Sequence, residues 1–417
     1  MPNTKFLRQK GVTVKTNKAI QWECEPQFFR LSNPMDETKF YELLDKTSEI
    51  ILYDEMQSQL EELAKISNPA KHYSKEQLSQ MAKDHLGTTD LFEYGVWVYY
   101  PWLKKMVHLL DEKEFIQVRT SRNMYKITVE ERDLLAKKKI GIIGLSIGQS
   151  VAATMCMERS FGEVRLADFD MLELTNLNRL RTGVYNLGVS KVIIAAREIA
   201  EIDPFLKVVC FSQGLTEANM EDFFLQGGKL DMLIEECDSV DIKILSRLKA
   251  KELKIPVVMD TSDRGMLDVE RFDLQPDRPI LHGLIDHLDV TKLKELKTNE
   301  EKIPYLLPMV GVETISTRLK ASAMEVGKSI TTWPQLATSV VLGGAITADV
   351  CRRIMLGSFH ESGRYFVDVE QLVVDTTPHT HGEKEREIIT PPPLLTDEEM
   401  LSIVSTINLP KEKGKSV

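Results

Sequence analysis

Short apolar runs alternate with longer amphipathic segments along residues 139–260. The runs predict strands, because each is a brief apolar stretch bounded by glycine or polar residues; they cover residues 140–144, 163–168, 207–211, 231–235 and 256–260. The segments between them predict helices at residues 148–159, 189–202, 217–225 and 240–253. This alternation predicts an α/β fold whose mostly parallel sheet carries helices on both faces.

The residues before this region predict an N-terminal α+β extension over residues 1–118. Residues 36–85 have apolar positions at helical spacing, which predicts helices, and Ser74-Lys-Glu-Gln contains a candidate N-cap. Thr128-Val-Glu-Glu has the spacing of a capping box that opens a short helix. Short strands are predicted at residues 96–100 and 106–110, and residues 111–125 are expected to form a charged connector.

The residues after the alternating region predict a C-terminal α/β region over residues 276–375, which we expect to serve substrate binding or dimer formation. A strand is predicted from Met266, a long buried helix at residues 339–356 and another strand from Arg364, with charged helices near residues 290–302. From Thr376 the chain is polar and proline-rich, which predicts a mobile tail at residues 376–417 with a short helix at 396–406.

Composition narrows the function classes. The 417 residues carry a net charge of −10, which gives no support to nucleic-acid or anionic-membrane binding. No signal-peptide core is found near the start, and no run of about 18 apolar residues predicts a membrane span. The five cysteines are scattered without a C-x-x-C pair, so no zinc site is expected. Scattered cysteines in an odd number fit a reducing compartment, so a cytoplasmic location is expected.

The first strand of the region ends in a glycine turn, Gly144-Leu-Ser146-Ile-Gly148. It is an altered form of the dinucleotide turn G-x-G-x-x-G, with Ser146 at the second glycine and Gly148 one residue early. Such a turn exposes backbone N–H groups at a helix N-terminus to phosphate or adenosine, which is typical of a Rossmann-like nucleotide domain. The alternative is a tight turn that binds nothing.

Acidic residues close two of the predicted strands. Asp168 and Asp170 follow the second strand, where a carboxylate commonly accepts ribose hydroxyls; the alternative is a turn or helix cap. Asp238 follows the strand at 231–235, where it is placed to hold Mg²⁺ on the phosphates; the alternative is an N-cap for the helix from Val240. The neighbouring Cys237 is interpreted as a small core residue.

Cations and an amide cluster just after the ribose acids. Asn176, Arg179, Arg181 and Lys191 together suit a triphosphate, because they neutralise phosphates and the charge that builds on leaving pyrophosphate. The alternative is ordinary surface salt bridges.

Several short motifs occur in a familiar order: Asp168-Phe-Asp170, Thr175-Asn-Leu-Asn-Arg-Leu180, Gly188-Val-Ser-Lys191, Asp203-Pro204 and Cys237-Asp-Ser239. Over about residues 119–275 the chain therefore resembles the ThiF/MoeB/HesA family, the bacterial relatives of ubiquitin-activating enzymes. The resemblance implies a ThiF-type nucleotide-binding adenylation domain at residues 119–275. Ser146 and Leu180 depart from the family pattern, where glycine and glutamine are usual.

The resemblance also implies roles for individual residues. Arg122, in Arg119-Thr-Ser-Arg122-Asn123, is expected to reach the triphosphate, often of the partner subunit, which implies a homodimer. Asp168 would bind ribose, and Asp238 would bind Mg²⁺. The phosphate contacts would come from Asn176, Arg179 and Lys191.

The function that follows is ATP-dependent adenylation of a carboxylate, with pyrophosphate as the leaving group. The carboxylate would belong to a carrier-protein C-terminus, a peptide or a small acid. Since no cysteine follows the core before Cys351, which lies in a helical pattern, a cysteinyl thioester is not expected. The alternatives are a tRNA threonylcarbamoyladenosine dehydratase-like enzyme, a nucleotide-binding scaffold with a degenerate site and, last, a nicotinamide-dependent oxidoreductase.

Overall fold

The computed structural model of the chain describes residues 22–289, 305, 308–311, 313–323 and 325–374. The chain divides into two compact units. The first contains the described residues up to 138 together with 153–174 and 182–212, and the second contains 139–152, 175–181 and the described residues from 213 onward. The helices predicted near 290–302 and at 396–406, and the tail at 376–417, lie outside the described residues. The domain boundaries at 118, 275 and 375 stay predictions.

The first unit contains a four-stranded sheet in the order β1-β3-β4-β2: β1 Gln27–Phe29, β2 Ile51–Asp54, β3 Val96–Tyr100 and β4 Lys105–Leu109. Strand β3 is antiparallel to β1 and β4, and β2 is parallel to β4. All five side chains of β3 are buried, because the strand is covered on both faces. Trp97 packs with Phe40 on one face, and Val96 packs with Ala200 on the other.

The helices of this unit include three that the apolar spacing of residues 36–85 predicts: Pro34–Lys46, Met56–Ser67 and Lys75–Leu86. Two further helices are Glu112–Arg119 and Val129–Leu135. The predicted N-cap at Ser74 and the predicted capping box at Thr128 are confirmed, and Ser74 also forms a capping box, with Gln77.

The predicted charged connector at residues 111–125 is wrong in part, since it contains the Glu112–Arg119 helix and a 3₁₀ turn at Ser121–Asn123. Asp111 caps this helix, and its carboxylate accepts a 2.7 Å hydrogen bond from the Glu112 N–H. Phe115 and Val118 pack against a buried cluster that includes Met56 and Leu60. Tertiary packing therefore stabilises this helix, although its many charged residues make the apolar face hard to recognise in the sequence.

The large sheet is mostly parallel and flanked by helices, which confirms the predicted α/β class. In the first unit, β6 Glu163–Ala167 and β7 Lys207–Phe211 pair in parallel, and the helix Lys191–Ile202 connects them. In the second unit the order is β11-β10-β9-β8-β5: β5 Lys139–Ile143, β8 Met232–Glu235, β9 Val257–Asp260, β10 Met266–Glu270 and β11 Gly363–Phe366. Strands β5, β8 and β9 are parallel, and β10 is antiparallel to both of its neighbours.

The remaining helices are Gly148–Glu158, Met220–Leu225, Val240–Glu252, Thr317–Ala323, Ala337–Met355 and Val369–Leu372. Every strand and helix predicted between residues 139 and 260 is confirmed, with ends that differ by three residues at most. The long helix predicted at 339–356 is confirmed at Ala337–Met355, with Val340, Ala348 and Cys351 among its buried side chains.

Candidate nucleotide site

The glycine turn closes against the end of β8. Gly144 has φ 85°, and a Cβ at this position would lie 2.6 Å from the Glu236 carbonyl group and 2.7 Å from the Cys237 nitrogen, so only glycine fits. The helix begins at Gly148, as predicted. Because β5 and β8 are parallel neighbours, the glycine turn after β5 and the Glu236–Asp238 segment after β8 lie at the same edge of the sheet.

Arg179 is anchored at this turn. Its Nη2 donates a 2.9 Å hydrogen bond to Ser146 Oγ, and its Nη1 donates one of 2.9 Å to Asn178 Oδ1. Its buried Nε has no hydrogen-bond partner among the described residues. Burial lowers the pKa of the Arg179 guanidinium, and the nearby Asp238 carboxylate opposes that shift. The structure thus brings together a cation, an acid and the turn hydroxyl.

Asp238 is exposed and lies three residues beyond the end of β8, on the carboxyl side of the strand as the sequence predicts. The alternative in which Asp238 caps the next helix is wrong, because the N-cap residue of Val240–Glu252 is Ser239. Ser239 Oγ donates a hydrogen bond to the Asp241 carboxylate and accepts none from the backbone N–H groups of the helix. Asp238 is therefore an exposed acid near Arg179 and not part of the helix cap.

The first unit holds a second part of the predicted constellation. Lys191, buried at the start of the Lys191–Ile202 helix, forms a 2.7 Å ion pair with Asp170. The Lys191 N–H also donates a 3.0 Å hydrogen bond to the Asp170 carbonyl oxygen. The Asp170 N–H donates a 2.8 Å hydrogen bond to Asp168 Oδ1. The ion pair with Asp170 therefore orients the ammonium group of a lysine that is buried.

The other predicted residues lie in short turns. Asn176 is buried in the 3₁₀ turn Leu174–Asn178, and Arg181 is exposed just after it. Arg122 is exposed in the Ser121–Asn123 turn of the first unit. Within the described part of the chain, no hydrogen bond or ion pair is found for the Arg122 guanidinium.

Sequence reasoning missed a pair of buried carboxyl groups at the ends of β8 and β9. Glu236 Oε1 accepts a 3.0 Å hydrogen bond from the Asp260 N–H. Glu236 Oε2 and Asp260 Oδ2 are buried and have no hydrogen-bond partner among the described residues. Burial raises the pKa of Asp260 to about 7, and burial beside Asp260 raises that of Glu236 well above its usual range. Apolar strands that end in acids are the signal that would have found them.

A network of buried charges lies beside this pair. The fully buried Arg247 forms ion pairs with Glu235 at the end of β8 and with Glu270 at the end of β10, the latter at 2.8 Å. Lys243 forms a 2.7 Å ion pair with Glu235. Burial opposes ionisation of Glu235, but Lys243 and Arg247 outweigh it and lower the pKa of this carboxyl to about 2. The Val240–Glu252 helix is thus tied to strands on both sides of β9.

The two cysteines that bear on a thioester are unsuited to nucleophilic attack. Burial raises the pKa of the Cys237 thiol well above its usual value, and it does the same for Cys351, whose side chain is fully buried. A thiol must be ionised and accessible to form a thioester. Core packing is therefore the role that the structure gives to Cys351.

A sequence model of the ThiF family matches residues 120–341. The chain belongs to the ThiF family. This confirms the resemblance, and the glycine turn, Arg179 and Asp238 all lie within the matched residues.

Two curated relatives illustrate the range of matches. An uncharacterized protein of Mycobacterium tuberculosis is 46% identical over 273 residues, which cover 66% of this chain and 38% of that protein. The tRNA threonylcarbamoyladenosine dehydratase of Bacillus subtilis is 28% identical over 155 residues, which cover 37% of this chain and 60% of the enzyme. The chain thus spans less than two thirds of the length of these relatives.

Among solved structures, an E. coli tRNA N6-threonylcarbamoyladenosine dehydratase in complex with ATP aligns with a TM-score of 0.43 at 18% identity. The alignment covers 60% of this chain and 98% of that one.

In this chain, no helix of the described residues is long and apolar enough to cross a membrane. The described residues also contain no group of three or more His, Cys, Asp or Glu side chains suited to a metal ion.

Proposed function

We propose that this protein uses ATP to adenylate a carboxylate, with release of pyrophosphate. The observation that carries the proposal is the placement of Arg179, which Ser146 holds at the glycine turn near the Asp238 carboxylate. A cation fixed at such a turn suits a triphosphate, because fixed donors stabilise the charge that develops on the leaving group. Membership of the ThiF family supports the same class of reaction.

In this proposal the predicted residues divide into two groups by role. The nucleoside is bound by the glycine turn and by the acids of the second strand: Gly144, Ser146, Gly148, Asp168 and Asp170. The phosphates are bound by an amide and three cations: Asn176, Arg122, Arg179 and Lys191. The Lys191–Asp170 pair suits this role, since a phosphate that approaches Lys191 finds its ammonium group already directed by an ion pair.

Asp238 suits a magnesium ion that travels with the nucleotide. Mg²⁺ keeps several of its waters and is usually held by one or two carboxylates together with substrate phosphates, so one exposed acid at the turn suffices. Bound there, the ion would shield phosphate charge, and Asp238 would fix its position relative to Arg179. Arg179 remains protonated even where its pKa is lowered, because a guanidinium does not lose its proton in proteins.

The chemistry needs positioning more than proton transfer. A carboxylate is ionised at neutral pH, so its oxygen attacks the α-phosphorus without a general base. The new O–P bond forms as the bond to the β-phosphate oxygen breaks, and pyrophosphate leaves with its charge neutralised by Arg122, Arg179 and Lys191. The acyl-adenylate then passes to an acceptor without a thioester on Cys351, which is buried.

The test is exchange of labelled pyrophosphate into ATP in the presence of candidate small acids, peptides and carrier-protein C-termini. Arg179→Met and Lys191→Met should each lower the exchange rate on the order of 10²-fold, because each removes a cation from the developing charge. Lys207→Met is the matched control, since Lys207 forms a comparable 2.9 Å ion pair with Glu163 on β6 in the same unit. Preferential binding of NAD over Mg-ATP, or exchange untouched by both variants, would end the proposal.

A second candidate is a tRNA threonylcarbamoyladenosine dehydratase-like reaction, favoured by the 28% identity to the Bacillus subtilis enzyme. The net charge of −10 weighs against a tRNA substrate. ATP turnover that requires tRNA carrying threonylcarbamoyladenosine, with loss of water from that nucleoside, would select this candidate. ATP binding with neither exchange nor turnover would select a scaffold.

A further inference from the structure

Two cysteines far apart in the sequence lie together in the first unit. Cys24 Sγ and Cys210 Sγ are 3.9 Å apart, close enough for a thiol hydrogen bond. Cys210 is on β7, paired with Leu166 of β6, whereas Cys24 lies in an irregular segment just before β1. Both thiols are half-buried, so a small oxidant can reach them while the core stays closed.

The surroundings of this pair favour a thiolate on Cys24. The pKa of the Cys24 thiol is lowered, first by the hydrogen bond with Cys210 and then by the positive charge of Arg197; burial and the neighbouring Glu25 oppose the shift. The Cys210 pKa is raised by the same hydrogen bond and by burial. Arg197 also fixes the segment, because its Nε donates a 2.7 Å hydrogen bond to the Glu23 carbonyl oxygen.

We infer that Cys24 and Cys210 are a redox-active dithiol that peroxide converts to an intramolecular disulfide. The two sulfurs must approach by about 2 Å to reach the bonding distance of about 2.05 Å. The irregular segment around Cys24 allows this movement more readily than strand β7 does. The other three cysteines, at positions 156, 237 and 351, have pKa values raised by burial and are not part of the pair.

The reaction proceeds in two balanced steps. The Cys24 thiolate attacks one oxygen of hydrogen peroxide, the S–O bond forms as the O–O bond breaks, and the departing hydroxide takes up a proton to become water. The Cys210 sulfur then attacks the Cys24 sulfenic acid, the S–S bond forms as the S–O bond breaks, and the Cys210 proton leaves with that oxygen as a second water. Two thiols are oxidised and one peroxide is reduced.

The site is distinct from the residues proposed to bind ATP, so it can be tested without a known substrate. The reduced full-length protein is treated with an equimolar amount of hydrogen peroxide, quenched and analysed by intact mass and thiol titration. The expected result is a mass loss equal to two hydrogen atoms and a fall in titratable thiols from five to three. Peptide mapping should then find Cys24 joined to Cys210.

Single variants separate the roles of the two thiols. Cys210→Ser should stop at the first step and leave a Cys24 sulfenic acid that dimedone traps, whereas Cys24→Ser should leave Cys210 reduced. Cys237→Ser is the matched control, because Cys237 is also half-buried but lies outside the pair; it should form the same disulfide as the wild type. Five free thiols after treatment of the wild type, or a disulfide that joins other cysteines or two chains, would overturn the proposal.

Discussion

The Arg179 guanidinium and the Ser146 hydroxyl are joined by a 2.9 Å hydrogen bond. Ser146 stands where a dinucleotide turn has its second glycine, and glycine at that place has no side chain to accept such a bond. The departure from the motif therefore supplies an acceptor that orients the cation at the turn.

Ser146→Ala should lower the pyrophosphate exchange rate by about tenfold to on the order of 10²-fold, since a hydrogen bond to a charged group contributes about 1.5–3 kcal/mol. Ser146→Thr keeps the hydroxyl and should keep most of the activity. If Ser146 acts through Arg179, adding Ser146→Ala to Arg179→Met should cause little further loss. Additive losses in this double-mutant cycle would show that the serine acts in another way.

A shared active site is the second prediction. Arg122 and Asp238 are both exposed, so Arg122→Ala and Asp238→Ala should each fold normally but lose activity on the order of 10²-fold. If the protein is a homodimer in which Arg122 reaches the partner's nucleotide, mixing the two variants under exchange conditions should restore part of the activity. One site of each mixed dimer would then hold both wild-type residues.

The control for this mixture is a variant that carries both substitutions, which should rescue neither single variant beyond its own level when mixed. Subunit exchange is verified with tagged chains on native mass spectrometry. A fully active monomer, or absence of rescue in mixtures that have exchanged, would contradict the shared site.

Cys351→Ser should retain both pyrophosphate exchange and acyl transfer. Cys351 is fully buried in the Ala337–Met355 helix, where its thiol packs and its raised pKa keeps it protonated. The expected cost is stability alone, because serine places a hydroxyl in an apolar site; Cys351→Ala is the apolar control. Loss of acyl transfer with exchange preserved, in a variant that unfolds at a normal temperature, would point to a thioester step.

Asp260 predicts a pH dependence of stability. Its pKa is raised from 3.8 to about 7 by burial, so between about pH 4 and pH 7 the folded state holds a proton that the unfolded state has released. The free energy of unfolding should therefore fall as the pH rises through this window and level off above about pH 7. Asp260→Asn cannot ionise and should lose this component of the decline.

The measurement is the thermal midpoint of wild type and Asp260→Asn at pH values from about 5 to 8. As the pH rises, the free energy of unfolding of the variant should increase relative to that of the wild type by on the order of 1 kcal/mol or more, which corresponds to about 1 °C or more in Tm for a chain of this length. Glu236 shifts in the same direction, so part of the decline should remain in the variant. A difference between the two proteins that stays constant with pH would contradict the buried ionisation.

The sequence predicted the elements whose burial is continuous. Strands β5, β6, β8 and β9 are buried over nearly all their residues, so they appear as mainly apolar runs, although Arg165 interrupts the run in β6. Strand β2 was missed although Ile51, Leu52 and Tyr53 are apolar, because it lies within residues 36–85, for which the apolar spacing predicts helices. All four of its residues are exposed at the edge of the four-stranded sheet. Its strand conformation comes from backbone pairing with β4, and the pattern of side chains alone does not show that pairing.

The same limit applies to the candidate site. Acids and cations at the ends of strands could be found from their positions alone, as with Asp168, Asp238 and Arg179. The partners that those side chains take could not, since Ser146 and Arg179 are 33 positions apart and only the fold brings them together. Burial of Asp260 depends on Gly343, where a Cβ would lie 1.8 Å from Asp260 Oδ2.

Arg247 satisfies Glu235 and Glu270 together, on strands that are separated by β9. Replacing Arg247 leaves Glu270 buried without its counterpart, and breaking a buried ion pair in this way typically costs about 3–5 kcal/mol. A neutral, well-packed trio would avoid that cost, but no single substitution leads to it. An apolar interior at this place therefore requires Arg247, Glu235 and Glu270 to be replaced together, along with Lys243, which also pairs with Glu235.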